Sequence, residues 1–302
     1  MAFFNFKKKK DKDAEANEVS GIVEDADKKE TNEEGGGASP KGQRRFVMMV
    51  EETFPSQNKD GIVTVGKIYG IIKNGDSAYL LEPGNQIAVV NVVGLAVEDN
   101  KEMEPVEEAT DRVVGVKVYD ISGRSRISKY AVLTSIKPEL DAKAETGIEN
   151  PYVLGLSHGY KKFGRNREYM NVLLRELLKA HLLAPIYTEG QGSVSAEESI
   201  EEMLADKKIS FPALGRPGMP GMADFAIFTD WGQLARWRNV FDENHPPKTM
   251  VLKFKDAVNM VTSQSSGQMA GIVINAFGEN PIAFSKEAID EISKAGNINN
   301  DF

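Results

Sequence analysis

The 302-residue chain contains no cysteine. That excludes a disulfide framework and any thiolate-ligated metal site, and it fits a reducing compartment. Histidine is scarce. His158, His181 and His245 each lack a second ligand at i+3 or i+4, so helical metal-binding spacing is absent. There is no Gly-x-Ser-x-Gly elbow, and hence no recognisable nucleophile motif. No apolar run approaches the roughly 20 residues that span a bilayer. The first residues, Met-Ala-Phe-Phe-Asn-Phe then Lys7–Lys10, put the charges after the apolar residues, the reverse of a secretory signal. A net charge of −8 argues against broad nucleic-acid binding, which needs clustered Lys and Arg, but it leaves room for a local basic patch. These absences point to a cytoplasmic protein without a transmembrane segment, a metal or a cofactor.

The most informative stretch is Gly61–Asp76. Gly61, Gly66 and Lys67 have the G-x-x-x-x-G-K spacing of a phosphate loop. That motif needs Ser or Thr next, to hold Mg²⁺, and a flexible loop between the glycines. Ile68 follows Lys67, and Ile62, Val63 and Val65 fill the interval. β-Branched residues favour strands, so the stretch reads as strands rather than as an NTPase site.

Along the chain, residues 1–44 are mostly charged and polar and end in Gly35-Gly36-Gly37 and Pro40. Such a segment buries too little apolar surface to offset ordering entropy and is expected to be disordered. Phe3, Phe4 and Phe6 before Lys7–Lys10 suit a weak anchor for an anionic membrane surface. Residues 45–137 read as all-β, with strands at 46–50, 61–69, 77–81, 86–95, 112–119 and 131–136. Turn signals such as Asn74-Gly75 and Pro83-Gly84 separate them. Short strands so spaced suggest a small barrel. Residues 138–165 read as a connector containing the makings of a short helix from Pro151 to Lys162. Residues 166–295 read as α+β, with a helix over 166–182 and further helices at 230–237, 255–262 and after Ser285; 296–302 form a tail. The expected fold class is thus two domains, an all-β small barrel and then an α+β domain, behind a disordered tail.

Two resemblances follow from these residues. Phe46-x-Met48-x-Val50-Glu51, then Gly61-x-Val63-x-x-Gly66-x-Ile68-x-x-Gly70-x-Ile72-Lys73-x-Gly75-Asp76, with Asp111–Val118 and Ile127–Leu133, resembles the second, β-barrel domain of elongation factor Tu and related translational GTPases. The GTPase domain that precedes that barrel in the factors has no counterpart in residues 1–44, so GTP hydrolysis is not carried over. Phe225-Ala-Ile-Phe-Thr-Asp-Trp, then Gly271-Ile-Val-Ile-Asn-Ala-Phe-Gly-Glu-Asn and Phe284-Ser-Lys-Glu, is similar to the amino-terminal domain of the SseB (enhanced serine sensitivity) family. That resemblance implies a bacterial α+β module and assigns no reaction.

The candidate binding residues fall in two places. Arg124, Arg126, Lys129 and Tyr130 form a basic–aromatic cluster on the barrel, and Lys161, Lys162, Arg165 and Arg167 form another before the long helix. Either suits RNA phosphate, with Tyr130 or Phe163 available for stacking. Met219 and Met222, in an Arg-Pro-Gly-Met-Pro-Gly-Met loop, suit an adaptable protein interface, as does the loop Phe241–Pro247. The expected function is a non-enzymatic cytoplasmic adaptor with a protein partner. The alternatives are an RNA- or ribosome-associated factor, and an enzyme whose site lies at the domain interface.

Overall fold

The computed structural model describes residues 45–56, 61–84, 86–99, 102–120, 126–138, 148–188, 209–216, 218–237, 249–263 and 268–298. The segment 1–44, Arg124 and the loop 241–247 lie outside them.

The first half is all-β: β1 (Phe46–Met49), β2 (Glu52–Pro55), β3 (Ile62–Lys73), β4 (Ser77–Glu82), β5 (Gln86–Asp99), β6 (Glu102–Val106), β7 (Glu108–Thr110), β8 (Val113–Asp120) and β9 (Val132–Thr134). The pairing order is β1-β9-β4-β5-β8-β3, and β3 pairs back onto β1. Every contact in that ring is antiparallel. Six strands therefore close into a barrel, which removes their free edges. β2, β6 and β7 are short additions on β3 and β5 that the sequence pattern did not suggest. Glu and Pro, both poor strand formers, populate two of them, and only pairing with a long neighbour makes them strands.

Ile62–Lys73 is one continuous strand, which disposes of the phosphate-loop alternative. Gly70 sits opposite Phe46 in the β1–β3 register with φ +93°. A Cβ there would lie 2.0 Å from the Arg45 carbonyl oxygen. This glycine lets the two strands cross closely enough to close the barrel.

The period-two alternation of β1 serves two cores. Phe46 and Met48 point into the barrel with Ile68, Leu80, Val116 and Leu133. Val47 and Met49 point outward with Val132 and Leu81, into a second core that continues through the rest of the chain.

The second half contains α1 (Pro151–Phe163), α2 (Arg167–Lys179), β10 (His181–Pro185), β11 (Tyr187–Thr188), β12 (Ile209–Ser210), β13 (Ala213–Gly215), β14 (Ala223–Ile227), α3 (Trp231–Leu234), β15 (Thr249–Lys253), α4 (Phe254–Ser263), β16 (Met269–Ile274), β17 (Ile282–Ser285) and α5 (Lys286–Ile298). The main sheet runs β13-β14-β16-β17, with β14 and β16 parallel. The β10–β15 pair adjoins it through a bridge between Leu183 and Phe228. Leu173, Leu177, Val258 and Ile289 from α2, α4 and α5 pack with Ile227, Ile272 and Phe284. Leu183, Phe228, Leu234 and Trp237 form a smaller core. The chain is thus an all-β six-stranded barrel followed by an α+β region. Among the described residues no helix is long and apolar enough to cross a membrane.

α1 joins the two halves. Leu156 is fully buried in the second core, and Tyr152 and Leu154 pack partly buried against it. The same core holds Val153 against the outer barrel residues Val47 and Val132. His181, which falls at the end of the helix expected over 166–182, instead opens β10 opposite Lys253.

Candidate functional site

α1 seats on the barrel through two glycines one helical turn apart. A Cβ on Gly155 would come within 2.6 Å of both Val132 γ-carbons and 3.1 Å of Val47 Cγ1. A Cβ on Gly159 would come within 2.4 Å of Met49 Cε and 2.6 Å of its sulfur. Glycine inside a helix costs roughly 1 kcal/mol relative to alanine. Here it allows helix and strand to approach without side chains between them. That approach carries the next residue on the same seam, His158, to the barrel.

His158 stacks on Tyr69 of β3, with ring centroids 3.5 Å apart and planes 11° apart. Asn280, in the β16–β17 loop, places its amide nitrogen 3.0 Å from His158 Nδ1 and 3.5 Å from the Tyr69 hydroxyl. An amide NH₂ only donates, so Nδ1 accepts and the ring proton sits on Nε2. Burial, reinforced by the Lys67 and Arg236 cations, pushes the His158 pKa down to about 4. The imidazole is neutral at neutral pH. Barrel, α1 and α+β region thus meet in one triad, Tyr69–His158–Asn280, which the sequence did not flag. The only legible signal was a lone histidine between two spaced glycines.

Clefts open on both sides of this triad. The larger, about 410 Å³, lies at the C-terminal ends of the parallel strands β14 and β16, the place where open α/β sheets hold ligands. Its carboxylates are committed to structure. Asp230 accepts from the Gln233 amide at 2.9 Å and from the Thr229 hydroxyl at 2.8 Å. Asp111 accepts from the Gly70 amide at 2.8 Å, and Glu149 pairs with Arg45. Glu279 is the exposed acid at its rim. Asn275, at φ +54°, accepts from the Thr229 amide at 3.0 Å, and Asn150 donates to the His181 and Thr229 carbonyls at 2.6 and 2.8 Å. These bonds stitch the strand ends rather than present an acid–base pair.

The smaller cleft, about 300 Å³, is lined by Lys67, Lys161, Lys162, Glu51, His158 and Asn280, among others. It opens beside the two basic segments singled out in the sequence, and the structure brings those segments together. Tyr130 meets Phe163 edge-on at 5.6 Å and Tyr169 at 5.3 Å. This aromatic trio pins the barrel turn to the α1–α2 corner. Lys129 Nζ then sits 5.9 Å from the Phe163 ring centre and Lys162 Nζ sits 5.0 Å from it. Arg126, Lys161, Arg165 and Arg167 are exposed alongside. Glu51 pairs with Lys162, and Glu168 neighbours Arg167 on α2. Lys67 extends the cations along the seam, 4.5 Å from the Tyr69 ring centre.

This placement corrects one sequence expectation. Tyr130 is fully buried, because its ring closes the seam against Phe163 and Tyr169, so it offers no face to a base. Phe163 is half-buried beneath two lysines, and Tyr69 is occupied by His158 and Lys67. Met219 is exposed at the β13–β14 hairpin, whereas Met222 is half-buried and donates its amide to the Met219 carbonyl. Arg216 spans the hairpin base to Asp224 at 3.1 Å.

The model of the SseB protein N-terminal domain matches residues 158–291. The match begins at His158 and takes in most of the α+β region. Comparison with curated proteins finds no match. Among solved structures, the crystal structure of GDP-bound aIF5B from Aeropyrum pernix aligns with 14% identity and a TM-score of 0.27, over 50% of this chain. The aligned part spans 21% of that chain, and at this score the likeness carries no weight for shared fold or activity.

Proposed function

We propose that the chain is a non-enzymatic, cytoplasmic binding protein that engages the phosphate backbone of RNA through the basic face at the α1–α2 corner. One observation carries this reading: the convergence of Lys129 and Lys162 on Phe163, flanked by Arg126, Lys161, Arg165 and Arg167. In a chain of net charge −8, two basic segments more than thirty positions apart meet on one surface. Basic faces of this kind gain affinity by releasing counterions from phosphates. With Tyr130 buried and Phe163 and Tyr69 covered, stacking contributes little, so the binding is backbone-directed and independent of base sequence. The translation-factor-like reading of the barrel agrees with an RNA or ribosomal partner.

The test is fluorescence anisotropy of a labelled single-stranded RNA against the full chain over a salt series. Affinity that falls steeply with salt, and weakens in Lys129→Ala/Arg167→Ala, supports the reading. No binding at 50 mM salt, a condition that favours phosphate contacts, refutes it.

A protein partner is the second reading, favoured by the exposed Met219 at its hairpin. Methionine surfaces adapt to varied partners. A partner retained after ribonuclease treatment and lost in Met219→Asp would favour the hairpin over the basic face.

A further inference from the structure

The smaller seam cleft does more than extend the basic face. Lys67 comes from β3 of the barrel and Lys161 from α1, yet both line one recess whose wall includes His158 and Asn280. Neither lysine forms an ion pair among the described residues, whereas Lys162 is held by Glu51. His158 also lines the recess, and the Asn280 amide at Nδ1 leaves the ring proton to Nε2. Lys67 and Arg236 both act on the imidazole as cations, and no carboxylate is a significant influence on it. At about 300 Å³ the recess is at the small end of ligand pockets, which run from roughly 300 to 1,000 Å³. It suits a head group rather than a whole nucleotide. The faces of Tyr69 are taken by His158 and Lys67, so no planar base is held there.

We propose that this recess is a phosphate-monoester site, in which a terminal phosphate docks between Lys67 and Lys161 against the donor edge formed with His158. A monoester carries close to two charges at neutral pH and three strong acceptor oxygens, against one charge for each internal phosphodiester. The recess adjoins the basic face, so on the reading above its occupant is the phosphorylated end of an RNA strand lying along that face. A free phosphorylated small molecule has the same chemistry.

The experiment compares the full chain with 5′-phosphorylated, 3′-phosphorylated and hydroxyl-ended versions of one single-stranded RNA, and with glycerol phosphate. His158 is followed by NMR. The expected result is that one phosphorylated end binds about five- to tenfold tighter than the hydroxyl-ended strand, the scale of one added charge-assisted contact. Lys67→Gln should remove that preference, bringing the phosphorylated strand down to the affinity of the hydroxyl-ended one. A bound phosphate should raise the His158 pKa from about 4, since it offsets the neighbouring cations. If hydroxyl-ended RNA fails to bind but glycerol phosphate shifts His158, the phosphate site stands and the RNA reading falls. If RNA binds with no preference for either phosphorylated end and glycerol phosphate leaves His158 unmoved, the site is refuted and the RNA reading survives.

Discussion

Replacing Gly155 with alanine tests whether α1 is seated directly on the barrel. In isolation the change favours a helix, by roughly 1 kcal/mol. The structure sets that gain against a collision. The new Cβ would stand 2.6 Å from both γ-carbons of Val132 and 3.1 Å from Val47, whereas unstrained carbon contacts lie near 3.5–4.0 Å. Both methyls of Val132 are equally close, so rotating its stiff χ1 exchanges one clash for another. Val132 is fully buried in β9 between β1 and β4. Relief therefore requires α1 to lift from the barrel, and overpacking of this kind costs about 1–3 kcal/mol. The net expectation is a loss of up to about 2 kcal/mol. Gly159→Ala is the internal control. Its Cβ meets the far end of Met49, at 2.4 Å from Cε and 2.6 Å from the sulfur, with Tyr169 Cε2 further off at 3.2 Å, and an unbranched thioether can change rotamer. The helix gain then roughly cancels the repacking cost. Urea unfolding of the three proteins measures the difference. Gly155→Ala should unfold at distinctly lower denaturant than Gly159→Ala, with an unchanged m-value. A Gly155→Ala protein as stable as the wild type would refute the seating of α1 against β9.

Three further outcomes follow from the seam and the basic face. His158 has a folded pKa near 4 against about 6.5 unfolded, so the unfolded chain binds more protons between those values. Stability contributed by neutral His158 is complete above about pH 6.5, declines as pH falls and levels off below pH 4, on the order of 3 kcal/mol in all; in His158→Gln, urea midpoints measured from pH 7 to 4 should lose that part of the slope. Asn275→Ala would leave the buried Thr229 amide without its side-chain acceptor and place alanine at φ +54°, so a loss of about 2–4 kcal/mol by urea unfolding is expected, smaller for Asn275→Gly only in its strain component. For RNA, each phosphate contact steepens the log–log salt slope by about 0.7 on single strands, so Lys129→Ala/Arg167→Ala should flatten it measurably in anisotropy titrations.

What was legible in the sequence is what local patterns determine. Alternation in Phe46–Val50 and the Asn74-Gly75 turn are short-range signals, and they located barrel strands because a strand's two faces are written in neighbouring residues. The α+β elements were legible for the same reason, including the helix expected from 230, and of the two possible caps, Thr229 and Asp230, it is the Asp230 carboxylate that receives the Gln233 amide. The candidate site was not, because nothing local encodes it. Lys129 and Lys162 read as two unrelated basic runs. Only the packing of Tyr130 on Phe163 and Tyr169 makes them neighbours, and that same packing removes Tyr130 from the surface where its composition had placed it. His158 shows the point most sharply. Motif logic asks whether a histidine has a ligand partner at helical spacing, and His158 has none. Its partners are Tyr69 and Asn280, 89 positions before it and 122 after it, assembled by two glycines whose sole visible property is a missing side chain. A site built at a seam takes its donors from three elements that fold for separate reasons, so its chemistry emerges only once the distance between them is fixed. Here that distance is fixed at Gly155 and Gly159.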